Sequence, residues 1–137
     1  MAAKLENSTP FFVRFRDTDA MGHVNNAVYL SYLEVARMSY WKRLTGITDF
    51  KKVDFILARA EVDYRFPAKT GDELVVYTRI SRIGGSSFDF EYRIEEKPSG
   101  RLIAEAKTVM ACFDYSKGKV KRMDPALREK IKKAEGL

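Results

Sequence analysis

Between Arg16 and Tyr29 the chain reads Arg-Asp-Thr-Asp-Ala-Met-Gly-His-Val-Asn-Asn-Ala-Val-Tyr. One short polar stretch thus holds two carboxylates, the sole histidine, a glycine and two asparagines. Asp17 and Asp19 flank Thr18. If the preceding strand geometry persists, alternate residues share a face and the two acids point the same way. Like charges so close raise one pKa, which suits a general base or nucleophile. The competing reading is a pair of solvated turn acids or helix caps. His23, as the residue type that most often moves protons at physiological pH, invites an acid–base role; a histidine hydrogen-bonded to its own loop is the plainer account. Tyr29 either positions a substrate or packs.

Gly22-His-Val-Asn-Asn26 leads into a helix that should begin near Asn25 or Asn26, since asparagine oxygens cap the exposed N–H groups of a first turn. Those N–H groups lack intrahelical partners and carry partial positive charge. They can hold a carbonyl oxygen that turns anionic during acyl transfer. Gly22 would let a substrate approach the backbone closely. Glu34 is a rival carboxylate, or the partner of Arg37 in a buried or intersubunit ion pair. Ser86 and Ser87, after Gly84-Gly85 and near Arg82, suit either a phosphate or pantetheine contact or ordinary turn chemistry. One His and one Cys cannot build a zinc site. No Ser-His-Asp set, phosphate loop or dinucleotide glycine motif is present.

The elements that must position these groups follow from periodicity. Residues 1–9 are polar and expected to be loose. Phe11, Val13 and Phe15 alternate with Phe12, Arg14 and Arg16, a strand with one apolar face. Ala27 to Leu44 contains no Gly or Pro. Its apolar residues spread round much of a helix, so protein should surround it. Gly46 is placed to end it. Phe55–Phe66, Asp72–Ile83, Ser87–Glu96 and Arg101–Tyr115 read as consecutive strands, and Lys119–Arg122 as a short extension. Asp124-Pro125 opens a short basic helix over 124–134. Consecutive strands on short turns are antiparallel. The pattern predicts one α+β domain over 1–137, a long helix wrapped by a curved antiparallel sheet of about five strands.

Composition bounds the rest. The 137 residues carry a formal charge of +6 and a pI near 9.4, which favours anionic partners in general. The basic stretch from Lys117 to Lys133 lacks the interleaved aromatics that nucleic-acid binding wants. Cys112 reads as a small buried hydrophobe. A single cysteine, the lack of a long apolar span and a polar N-terminus lead to the expectation of a cytoplasmic protein with no membrane or nucleic-acid partner.

The string Phe15-Arg-Asp-Thr-Asp-Ala-Met-Gly-His-Val-Asn-Asn-Ala-Val-Tyr29, followed by Leu30-Ser-Tyr-Leu-Glu-Val-Ala-Arg37, resembles the signature of hot-dog-fold acyl-CoA thioesterases, the branch named for 4-hydroxybenzoyl-CoA thioesterase. Ala60–Pro67, Gly71–Leu74 and Ser86–Phe88 fit as well, so the likeness covers roughly residues 10–115. It implies that Asp19, the second acid, attacks the thioester carbonyl or activates water. Asn26 matches the backbone donor that polarises the carbonyl oxygen, and Gly22 the loop glycine. Gly22, His23, Asn25 and Tyr29 would shape the site, with Arg82, Ser86 and Ser87 as candidate substrate contacts. No cofactor is implied beyond the CoA of the substrate. The family forms dimers, often paired into tetramers, by joining sheets edge to edge, with active sites at the interface. Ala20-Met21-Gly22 replaces the Pro-Ala-Gly of the original members, which argues against a hydroxybenzoyl substrate. Two other readings compete: a hydratase or dehydratase of acyl thioesters, and a non-catalytic acyl-CoA-binding module. Hot-dog hydratases have four residues between Asp and His; here three separate Asp19 from His23 and five separate Asp17 from His23.

Overall fold

The computed structural model describes residues 7–137. In chain order they form β1 (Ser8–Phe12), α1 (Asn26–Thr45), β2 (Phe55–Tyr64), β3 (Glu73–Ile83), β4 (Ser87–Glu96), β5 (Leu102–Asp114), β6 (Lys119–Val120) and α2 (Pro125–Glu135). The sheet runs β1-β3-β4-β5-β2, every pair antiparallel, with β6 added to β5. Register shifts at Leu57/Arg59, Ile80/Arg82 and Ile94/Glu95 bend the strands, as an extra residue in one strand of a pair does. The curled sheet wraps one side of α1.

Asn25 caps α1 by accepting a hydrogen bond from the Ala27 amide, and Gly46, at φ 75°, ends the helix in the left-handed region. The buried side of α1 carries Tyr29, Tyr32, Leu33, Ala36, Tyr40 and Trp41, spaced three and four apart as one helical face requires. They meet the inward residues of the sheet. Trp41 stacks on Phe88 and meets Phe55 edge-on, and Tyr40 meets Phe90 edge-on. Glu135 of α2 accepts from the Tyr40 hydroxyl and from the Ile80 amide, which fastens the C-terminal helix over the end of the core.

Four expectations need correction. The first strand starts at Ser8, so residues 8 and 9 are part of the sheet, while residues 1–6 lie outside the described residues. It stops at Phe12, and Phe15–Asp17 is a 3-10 turn; Val13 is buried whereas Phe15 is 81% exposed. That turn breaks the period of two, so Asp17 and Asp19 do not share a face. Finally, α1 is not covered all round. Leu30, Ser31, Glu34 and Val35 form an exposed stripe. It overlooks β2, whose residues beyond Phe55 are exposed or half-buried on both faces.

Candidate active site

The stretch after β1 folds into a small hairpin. Thr18 bridges Val24, the Asp19 amide donates to the His23 carbonyl at 2.7 Å, and the Gly22 amide donates to the Asp19 carbonyl at 3.0 Å. Gly22 sits at φ 78° with nothing within 4 Å of the position a Cβ would take. The positive φ is the conformation that glycine adopts without strain, and the space beside it is open. The hairpin is held at its base, where the Asn25 amide donates to the Asp17 carbonyl at 2.9 Å, and along its side, where the Val24 amide donates to the Ala68 carbonyl at 2.9 Å.

Asp19 is exposed. Its Oδ1 accepts from the Met21 amide at 2.9 Å and the His23 amide at 3.3 Å. Oδ2 makes no hydrogen bond among the described residues. The loop thus orients the carboxylate through one oxygen and leaves the other unbonded. At the start of α1, Ala27 donates to Asn25 Oδ1 and Val28 to the Asn25 carbonyl, each at 2.9 Å. Between these the Asn26 amide has no partner among the described residues. It is an orphan donor at the positive end of a twenty-residue helix, the setting in which developing negative charge is stabilised. Asp19, His23, Asn26, Tyr29, Tyr64 and Phe66 all line one pocket of about 220 Å³.

Four of the expected site residues therefore meet: Asp19, His23, Asn26 and Tyr29. Tyr29 is buried, its ring edge-on to Tyr64, and its hydroxyl accepts from the Ala68 amide at 3.4 Å; burial pushes its pKa up. His23 uses its backbone to close the loop and lines the pocket. Gly22 and Asn25 shape the loop and the cap without lining the pocket.

Comparison with known proteins decides the family. The model of the thioesterase-like superfamily matches residues 13–131. The chain belongs to this superfamily. Among its relatives, the long-chain acyl-CoA thioesterase FadM of Escherichia coli K12 is 30% identical over 128 residues, covering 90% of this chain and 95% of FadM. The acyl-CoA thioesterase YbgC of Haemophilus influenzae is 32% identical over 121 residues, covering 84% and 88%. The solved thioesterase of Thermus thermophilus, complexed with coenzyme A and zinc, superposes with a TM-score of 0.85 at 37% identity over 95% of this chain and 94% of that one. The wrapped helix is thus the superfamily's hot-dog fold.

Other expected residues of this superfamily member lie elsewhere. Arg82, Ser86 and Ser87 sit at the β3–β4 turn. The Ser86 carbonyl accepts from Cys112 at 2.8 Å, and Cys112 faces Phe55. That is the end of β2 away from Tyr64 and the Asp19 pocket; ten residues of strand span roughly 30 Å. Arg82 is bound by Asp89 and donates to the Ser87 hydroxyl. Arg128 donates to the Gly84 carbonyl at 2.8 Å, and the Arg122 guanidinium lies against Gly85. Glu34 stays outside the pocket with Asp19, 4.0 Å from the buried Arg37, which donates to the Tyr92 hydroxyl at 3.1 Å. Both line an apolar groove of about 860 Å³ between α1 and β2.

Asp17 neither pairs with Asp19 nor stands in solvent; of the sequence readings it fits the helix cap, since its carboxylate accepts from the Arg14 amide that opens the 3-10 turn. It is 4% exposed and accepts from the Arg14 amide and guanidinium, each at 3.0 Å, and from the Tyr32 hydroxyl at 2.9 Å. Burial alone would raise its pKa, but the bonds from Arg14 and Tyr32 prevail and hold it below the usual carboxylate range. Sequence reasoning also missed Tyr64, Arg65, Phe66 and Pro67 as pocket walls. Their signal is an aromatic strand end closed by proline, which by itself marks only a boundary. Among the described residues no His, Cys, Asp and Glu cluster could hold a metal, and no helix is long and apolar enough to cross a membrane.

Proposed function

We propose that this protein hydrolyses acyl-CoA thioesters to the free acid and CoA, with Asp19 as nucleophile or general base and the Asn26 amide as oxyanion donor. One observation carries the reading: among the described residues Asp19 has a carboxylate oxygen free of hydrogen bonds and the helix-start amide of Asn26 has no partner, and both residues line the same pocket. The carbonyl oxygen would accept from the Asn26 amide. Asp19 Oδ2 then either attacks the carbonyl carbon or takes a proton from an attacking water. The C–S bond breaks and CoA leaves as thiolate. On the nucleophilic route, water next cleaves the mixed anhydride and restores Asp19. His23 and Tyr29 flank the thioester in this scheme, while Gly22 and Asn25 hold the backbone in shape. The substrate class rests on the activities named for FadM and YbgC.

The β3–β4 turn supplies a place for CoA phosphates. Arg82, Arg122 and Arg128 converge there with Ser86 and Ser87. The turn is remote from Asp19 in one chain, and a second copy resolves the distance. Strand β2 ends the sheet path with a free edge, and the exposed Leu30, Val35, Ile56 and Leu57 lie beside it. Pairing two β2 edges antiparallel would bring the Phe55 end of one copy, with its basic turn, beside the Tyr64 end of the other. The working unit in this reading is a homodimer of single-domain chains, open to further pairing into a tetramer. It acts in the cytoplasm without cofactor, nucleic acid or membrane.

The test is hydrolysis of an acyl-CoA panel by wild type and Asp19→Asn. The variant should lose at least about a hundredfold in kcat; unchanged turnover removes Asp19 from the mechanism. Single-turnover reaction in heavy-oxygen water separates the two routes, because only the nucleophilic one leaves label in the Asp19 carboxylate. Light scattering on a sizing column should give twice the chain mass or a multiple of it.

A further inference from the structure

We infer that Asp17 is a positioning residue: its carboxylate clamps the base of the Asp19 loop to α1 and fixes where Asp19 stands relative to the Asn26 amide. This rests on the reading that those two groups do the chemistry.

Three segments converge on Asp17. Arg14, just past β1, gives its amide to Oδ2 and its guanidinium to Oδ1, each at 3.0 Å. Tyr32, on the second turn of α1, gives its hydroxyl to Oδ2 at 2.9 Å. The Asp17 carbonyl takes the amide of Asn25, the residue that caps α1. This hydrogen bond closes the base of the loop that carries Asp19, while the Val24 amide on the Ala68 carbonyl and the His23–Lys69 bridge hold its returning strand. Those bonds brace the returning strand of the hairpin; the outgoing strand is braced by the Asp17 side chain, which ties it to the body of the helix.

Only an ionised carboxylate meets the demand. Every group aimed at Asp17 is a donor, so an amide side chain would turn its own N–H₂ toward one of them. An alanine would leave the buried Tyr32 hydroxyl unpaired. Tyr32 also packs against Phe11 at 4.8 Å and meets Tyr29 edge-on at 6.1 Å. Because Tyr29 lines the pocket, the same clamp sets one of its walls. Asp17 itself does not line the pocket, so loosening it should misplace the attacking group without weakening substrate binding, and small misplacements are costly in rate.

The experiment compares full-length wild type, Asp17→Asn, Tyr32→Phe, the double variant and Asp19→Asn on one acyl-CoA ester, with circular dichroism and melting curves on each. Asp17→Asn should lose about a hundredfold in kcat while KM moves less than about threefold. Tyr32→Phe should lose less, and the double variant no more than Asp17→Asn, because both break one unit. A folded Asp17→Asn with wild-type kcat, or a loss confined to KM, overturns the inference. If Asp17→Asn does not fold, Tyr32→Phe decides, and an unchanged kcat there overturns it. Full activity in Asp19→Asn overturns the parent reading instead.

Discussion

Asp19 and His23 close on each other through the His23 backbone: the Asp19 amide donates to the His23 carbonyl at 2.7 Å, and the His23 amide donates to Asp19 Oδ1 at 3.3 Å. The histidine ring takes no part in this closure. Removing the ring should therefore spare the loop. His23→Ala is expected to keep kcat within about fivefold of wild type, with any larger effect in KM. Loss of the amide in His23→Pro should be far more damaging. Steady-state kinetics on the two variants checks the contrast, and a His23→Ala enzyme as poor as Asp19→Asn would assign the ring a catalytic role.

The Asn26 amide can be tested without touching its side-chain chemistry. Asn26 is the first residue of α1 after its cap, a position where proline fits the helix and lacks only the N–H. Asn26→Ala should behave nearly as wild type. Asn26→Pro should lose roughly 10²–10³ in kcat, the usual cost of one oxyanion donor. Equal activity in the two variants would show that the carbonyl oxygen binds elsewhere.

Gly22 stands at φ 78° in open space, so a methyl group there meets no neighbour. Gly22→Ala should cost about 1–2 kcal/mol of stability, all of it conformational. It should lower kcat as well, because the loop relaxes by shifting Asp19. Thermal melting with kinetics on the same sample tests both parts.

Asp17 gives the stability curve a signature at acid pH. Its folded pKa lies below its ordinary value of 3.8. The ionised form is the one that stabilises the fold, so its contribution is fully present above pH 3.8 and fades as pH falls through the lower folded pKa. The difference in melting temperature between wild type and Asp17→Asn should be constant from neutrality to about pH 5. It should narrow only below the ordinary value. A difference that narrows well above that value, near neutrality, would mean that another group is titrating.

Most of the fold was legible because it rests on local signals. Alternation marked β4 from Ser87 to Glu96, and the Asn25 cap with Gly46 at the other end bounded α1 within a residue or two. The Asp19 loop was legible for a different reason, since polar groups crowd where no core needs them. What the sequence concealed is long-range. Nothing near Asp17 announces that Tyr32 will reach it, so a buried clamp looked like a solvated acid. The strand through Phe15 looked regular because a 3-10 turn keeps the same residues and changes only their directions. The coverage of α1 was overestimated because an apolar circumference does not reveal which side the sheet leaves open. The pocket walls at Tyr64–Pro67 arise from a crossing of β2 over the helix start, recorded by the Tyr64 hydroxyl on the Asn26 carbonyl at 3.0 Å.

The pairing of β1 sets an order of events in synthesis. Ser8 lies opposite Tyr77 and Phe12 opposite Glu73, so the strand that leads into the Asp19 loop has no mate until β3 has left the ribosome. A chain halted before that point already contains every group of the proposed Asp19–Asn26 pair but lacks the strand that fixes where β1 delivers the loop, and contacts between distant segments form late. Under the proposed mechanism, catalytic competence arrives with completion of the sheet, and unfinished or N-terminally clipped chains should be inert toward acyl-CoA thioesters.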